Sequence, residues 1–136
     1  MQRSRLWACV AVAWLVVGVP VREARACPFH GQRPMLVVQL FFGQSVDGGA
    51  VSDQDWTAFV AETVTRHFPA GFTVYDAYGQ WMDPAGRIGR ERTKVIVVAG
   101  ASGRMEADVR EVVRVYRERF RQQSVGVISG VECAGF

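Results

Sequence analysis

The chain has no catalytic signature. It lacks a Gly-x-Ser-x-Gly elbow, so Ser52 has no nucleophile context. Asp47-Gly48-Gly49 lacks the Gly-Lys-Ser/Thr ending of a phosphate-binding loop and reads only as a turn. Histidine is scarce. His30 and His67 are the two in 136 residues, too few for a triad or a metal centre. Cys27 and His30 stand at Cys-x2-His spacing, but no further Cys or His pair completes a zinc site, and no Cys-x2-Cys-His offers haem attachment. The sequence therefore implies no metal, no cofactor and no assignable catalytic residue. Internal repeats and low-complexity tracts are also missing. Beyond residue 26, no apolar run approaches the roughly 20 residues that a spanning helix needs.

The first 26 residues read as a secretory leader. Arg3 and Arg5 open it, an apolar run follows from Leu6 to Val21 with Gly18 and Pro20 near its end, and Ala24-Arg25-Ala26 supplies small residues before Cys27. The expected organisation is a cleaved signal peptide at 1–26, an extended lead-in at 27–34 and a single domain at 35–136. Removing the leader changes the charge. The whole chain has 16 Lys+Arg against 13 Asp+Glu, and the leader holds four arginines and one glutamate, which leaves 12 against 12. A domain without net charge has no general electrostatic pull toward nucleic acid or an anionic membrane. Cys9 leaves with the leader, and Cys27 and Cys133 remain as a candidate disulfide in an oxidising compartment. The competing reading makes Cys27 the lipidated first residue of a membrane-tethered lipoprotein, although Arg22, Glu23 and Arg25 interrupt the apolar stretch such a site favours. The expected location is the periplasm or extracellular space, with a lipid-anchored envelope protein as the alternative.

Periodicity then gives the elements. Met35 to Phe42 is rich in β-branched and aromatic residues and stops at Gly43, as a central strand does. Ser52, with Asp55 three residues on, signals a helix start, and Val51 and Trp56 occupy hydrophobic-staple positions. Trp56, Phe59, Val60, Thr63, Val64 and Phe68 draw an apolar stripe that ends at Pro69-Ala70-Gly71. His67 falls in line with it, as a packed helix-end residue. Phe72 to Trp81 and Arg87 to Val98 read as strands joined by a tight turn at Asp83-Pro84-Ala85-Gly86. Met105, Val109, Val112, Val113, Tyr116 and Phe120 face a second helix inward, while Glu106 with Arg110 and Arg114 with Glu118 form outer i,i+4 pairs. Its arginines therefore read as a solvated face. Ser124 to Val131 supplies a last strand.

The order β-α-β-β-α-β in a domain of this size implies an α+β, ferredoxin-like sandwich: a four-stranded antiparallel sheet with two helices on one face. The first and last strands would be neighbours there, which brings Cys27 toward Cys133.

Leu40-Phe-Phe-Gly43, Val51-Ser-Asp-Gln-Asp-Trp56, Gly79-Gln-Trp81 and Arg90-Glu-Arg-Thr-Lys-Val95 resemble a bacterial family known as domain of unknown function 3574. Phe68-Pro-Ala-Gly71, the Tyr116-x3-Phe120 spacing and the closing Cys133-x2-Phe136 add to the resemblance. It spans nearly all of 35–136. The resemblance implies an exported or envelope protein and supplies no catalytic residues.

If Met82 pairs with Arg87 across the turn, Tyr75 faces Lys94, Ala77 faces Arg92, Gly79 faces Arg90 and Trp81 faces Ile88, all on one sheet face. Phe72, Val74, Val95 and Val97 would then point under the helices. The open face presents Tyr75, Trp81, Arg90, Arg92 and Lys94, joined by Gln39 and Phe41. Rings beside cations can hold planar or anionic ligands. This is the candidate surface for an unidentified small ligand or an envelope partner. The same rings could instead cover the sheet in a homodimer, and a small dimeric enzyme or ligand carrier is the alternative function. A register slip of one residue would bring out Asp76, Tyr78, Gln80, Glu91 and Thr93 instead. Buried, Asp76 and Glu91 would need partners, and a sheet-edge ion pair is the simpler expectation for each.

Overall fold

The structure, a computed structural model, describes residues 27–136. The expected leader and Cys9 lie outside them. Strand β1 (Arg33–Gly43) begins inside the segment expected to be a lead-in. It pairs antiparallel on one side with β5 (Ile88–Gly100) and on the other with β6 (Gly126–Ala134). Strand β4 (Thr73–Met82) pairs with the far edge of β5, so the sheet runs β4-β5-β1-β6. The Asp47-Gly48 turn is the tip of a small separate hairpin, β2 (Ser45–Val46) with β3 (Gly49–Ala50).

Helix α1 (Asp53–Phe59) starts as its sequence directs. Ser52 Oγ accepts from the Asp55 backbone N–H at 3.0 Å, and both first-turn acids, Asp53 and Asp55, complement the helix dipole. The helix continues through a π-type segment (Val60–Val64) into a final turn, α2 (Thr65–His67). The sequence stripe implies a uniform α-helix. The wide turn, closed by the Thr65 N–H on the Val60 carbonyl, instead brings Phe59 and Val64 inward five positions apart. Helix α3 (Ser102–Phe120) is the second long helix.

Both helices cover one face of the sheet. Val38, Leu40, Phe42, Ile96 and Val98 from the strands meet Trp56, Phe59, Val64 and Phe68 from the first helix and Met105, Val109, Val112 and Tyr116 from α3. Phe42, Trp56, Phe59, Tyr116 and Phe120 interlock mostly edge to face, with Phe42 and Tyr116 centroids 4.7 Å apart. Such pairs contribute roughly 0.5–1.5 kcal/mol each beyond area burial. The molecule is a mixed α+β domain, a four-stranded antiparallel sheet with two helices.

Cys27 and Cys133 form a disulfide, with Cα atoms 5.5 Å apart, which the adjacency of β1 and β6 makes possible. Closing a loop of 106 positions removes unfolded-chain entropy worth about 4–5 kcal/mol in the simplest chain model. Among the described residues, no helix is long and apolar enough to cross a membrane.

The β4–β5 register differs from expectation by one residue. Met82 pairs with Ile88, not Arg87. The cause is the turn. Asp83 N–H donates to the Arg87 carbonyl, and Gly86 N–H to the Asp83 carbonyl, both at 2.9 Å, with Gly86 at φ 79°. This is a three-residue hairpin loop whose last position is left-handed, a conformation glycine adopts without cost. The Asp83 carboxylate locks it by accepting from the Ala85 and Arg87 backbone N–H groups. The extra residue turns every β5 side chain to the face opposite the one expected.

Candidate functional site

With the register corrected, the uncovered sheet face can be read in rows across the strands. One row holds Gly126, Phe41, Val95 and Tyr75, the next Gly43, Thr93 and Ala77. Beyond them come Glu91 opposite Gly79, then Gly89 opposite Trp81. Small residues thus occupy the middle rows while aromatic rings stand at either end. The result is a recess of about 840 Å³. Its floor is Gly43, Ala77, Gly79 and Thr93, and Phe41 and Trp81 rise beside it. The β2–β3 hairpin (Ser45, Val46, Asp47) and the loop Arg121–Ser124 form the rest of its rim.

Two glycines make the recess possible by close approach. A methyl group on Gly43 would lie 2.7 Å from both Glu91 carboxylate oxygens, and one on Gly89 would lie 2.6–2.9 Å from the Trp81 indole. The Glu91 carboxylate therefore rests over the β1 backbone, and the Trp81 ring lies across β5. Among the described residues, half-buried Glu91 receives only the Ser45 backbone N–H, at 3.4 Å. That is longer than the usual 2.7–3.2 Å range.

The rim is tied to the core. Gln44, buried at the end of β1, donates from Nε2 to the Phe42 carbonyl and to Tyr116 Oη, each at 2.9 Å. Its backbone accepts from Val51 and donates to the Arg92 carbonyl. Tyr116 Oη in turn donates to the Gly43 carbonyl at 2.7 Å. Burial pushes the Tyr116 phenol well above its ordinary range, so it stays a donor. At the other rim, Arg121 closes α3 in a left-handed backbone (φ 53°), and Gln122 Nε2 donates to the Ser45 carbonyl.

The candidate residues divide between the two faces. Tyr75, Trp81, Phe41 and Gln39 lie on the uncovered face as expected, and Phe41 and Trp81 line the recess. Arg90, Arg92 and Lys94 do not join them, because the Gly86 turn places them on the helix side, where Arg90 and Arg92 are exposed and Lys94 is largely buried. There Lys94 Nζ meets Asp76 at 2.6 Å, and Arg90 Nε donates to Gln80 at 2.6 Å. The hydrogen bond to Lys94 holds the Asp76 carboxyl below the usual range. Val95 and Val97, expected under the helices, are on the uncovered face, as are Glu91 and Thr93.

Sequence pattern assigned Gln44 no place at this site and Glu91 only as the outcome of a one-residue register slip, which here brings out Glu91 and Thr93 but leaves Asp76, Tyr78 and Gln80 on the helix side because the β5 strand alone is turned. Gln44 sits at a strand end where a loop is the natural reading, and Glu91 depends on the turn that sets the register. His67 Nδ1 lies 3.0 Å from Asp108 and joins α2 to α3. Helix α3 carries the expected Glu106–Arg110 and Arg114–Glu118 pairs. Among the described residues, no three His, Cys, Asp or Glu side chains gather as metal ligands.

These features define a small disulfide-closed α+β domain with a glycine-floored recess on the sheet face away from its helices. Residues 38–136 match the family described as Protein of unknown function (DUF3574), and the chain belongs to that family. Its fold is similar to that of a phage SAM lyase in complex with S-methyl-5'-thioadenosine, with a TM-score of 0.56 and 17% identity, covering 75% of this chain and 90% of that one. A phage SAM lyase in the apo state gives 0.54 and 18%, covering 76% and 90%. CutA from Synechococcus elongatus gives 0.51 and 7%, covering 74% and 78%. At these identities the likeness is one of fold. No curated protein matches the chain.

Proposed function

We propose that this protein is an exported, non-catalytic binding module of ferredoxin-like topology that holds a small ligand in the recess of its uncovered sheet face. The observation that carries the reading is the recess itself, in which three strands place small residues between aromatic walls and, among the described residues, leave Glu91 without an ion-pair partner within 4 Å. Concavity with convergent polar groups beside aromatic rings is a form that small-molecule sites take, and here the polar groups come from Glu91, Thr93, the β2–β3 hairpin and the loop Arg121–Ser124. The strand order supports the topology. Counting the four long strands along the chain, β4-β5-β1-β6 is second, third, first, fourth, as a ferredoxin-like sheet requires. The leader-like residues 1–26 and the disulfide support export to the periplasm or cell exterior. Cys27 Sγ is bonded to Cys133, which favours a diffusible domain over a lipid-anchored one.

A fragment screen by amide NMR tests this reading, with S-methyl-5'-thioadenosine included as one probe because a chain of similar fold holds it. Ligands that shift the Gly43, Gly79 and Glu91 amides, and lose that effect in Trp81→Ala but not in Arg92→Ala, support it. A screen whose hits all map elsewhere sinks it.

A second reading is a small dimeric enzyme or ligand carrier. It is favoured by the exposure of Tyr78 (81%), Met82 (69%) and Ile88 (54%) along the β4–β5 hairpin, an apolar edge that a second subunit could cover. Light scattering that returns a monomer at high concentration removes its basis.

A further inference from the structure

We infer that the recess selects a ligand carrying a positive charge, an organic ammonium attached to a planar ring, with Glu91 as the group that holds the charge. The inference deepens the reading of the uncovered face as a ligand site and rests on it. Its first support is the state of the Glu91 carboxylate. A half-buried carboxylate loses part of its hydration and is stable only when charge or hydrogen bonds replace the lost water. Glu91 has one long backbone contact, Ser45 N–H at 3.4 Å, and among the described residues no Lys, Arg or His nitrogen lies within 4 Å of it. Its neighbours on β5 are satisfied in a way it is not, since Lys94 has Asp76 and Arg90 has Gln80.

The second support is the space around that carboxylate. Gly43 and Gly79 flank it, so no side chain from β1 or β4 shields it from the recess. A methyl group at Gly43 would take the place of the carboxylate itself, and one at Gly79 would stand in van der Waals contact with the Glu91 stem. The remaining charges at the rim, Asp47 and Arg121, are opposite in sign and offset one another, which leaves Glu91 as the net charge of the recess. The third support is the flat indole of Trp81, which lies across Gly89 in the adjacent row and offers a π face to a ring or a cation. A ligand with an ammonium group and a planar ring meets both features.

The test uses three matched probes on the folded, disulfide-bonded domain: phenethylamine, 2-phenylethanol and 3-phenylpropionate. Each is titrated by amide NMR into the wild type and into Glu91→Gln. The expected result is that phenethylamine shifts the Gly43, Ser45 and Gly79 amides and binds at least about tenfold more tightly than the alcohol, while the carboxylate binds most weakly. A tenfold ratio is the size a single charge-assisted contact gives. Glu91→Gln should bring amine and alcohol to equal affinity and leave the alcohol unchanged. Equal binding of all three probes in the recess, or an amine preference that survives in Glu91→Gln, overturns the inference while leaving the recess as a ligand site. If no probe shifts those amides, the inference falls, while the wider fragment screen decides whether the recess is a ligand site.

Discussion

Tyr116 Oη donates to the carbonyl of Gly43 at 2.7 Å, and Gly43 is the residue whose missing side chain makes room for the Glu91 carboxylate. The aromatic core and the uncovered recess therefore meet at one backbone position. Tyr116→Phe should destabilise the domain by about 1–3 kcal/mol, because it leaves the Gly43 carbonyl and one contact of Gln44 unmade in a buried setting. Urea denaturation measures the loss. An unchanged midpoint would mean that water replaces the hydroxyl there.

Gly43→Ala separates stability from site geometry. The added methyl would fall 2.7 Å from the Glu91 carboxylate oxygens, which belong to the movable end of a side chain. The expected outcome is a stability change under about 1 kcal/mol with Glu91 expelled from its place over β1. A crystal structure of the variant checks the displacement. Finding Glu91 unmoved and the domain strongly destabilised would contradict it.

Cys133→Ser, or reduction, should lower stability by about 2–5 kcal/mol, the usual cost of losing a native disulfide from a small domain. Besides the bond, β1 and β6 are joined by a continuous antiparallel register from Arg33 opposite Ala134 to Phe41 opposite Gly126, so the reduced domain should keep its far-ultraviolet circular dichroism at low temperature. A domain that unfolds outright on reduction would show that the hydrophobic core is insufficient by itself.

The His67–Asp108 contact predicts a pH dependence. The hydrogen bond from His67, reinforced by the charge of Arg104, holds the Asp108 carboxyl below the usual carboxylate range. A depressed folded value means that the contribution is fully present above the unfolded value near 4 and is lost as pH falls through the folded one. Asp108→Asn should therefore cost on the order of 1 kcal/mol at neutral pH, with the difference from wild type shrinking below about pH 4. Thermal melts of both proteins across that range measure it. A difference that stays constant into strong acid would assign the effect to packing.

Particular residues show why some of this was legible in the sequence. Ser52 and Asp55 encode a helix start within four positions, and the interaction that starts the helix is local. The disulfide followed from topology, because the order of elements makes β1 and β6 neighbours. The face of β5 was not legible. It depends on whether Gly86 closes a two-residue or a three-residue loop, and both use the same Asp83-Pro84-Ala85-Gly86 sequence. That single backbone choice moved Arg90, Arg92 and Lys94 off the candidate surface and brought Glu91 onto it. Gln44 was invisible for another reason. Its role comes from Tyr116, 72 positions away, and no local pattern records such a partner.

The staple also orders events in the life of the chain. Its two sulfurs are separated by 106 positions, with every strand of the main sheet drawn at least in part from the residues between them. A ribosome delivers Cys27 first and Cys133 last. The bond can close correctly only once the chain has been made through Cys133 and β6 has aligned beside β1. An oxidised molecule has thus been made through β6 and has paired that strand with β1.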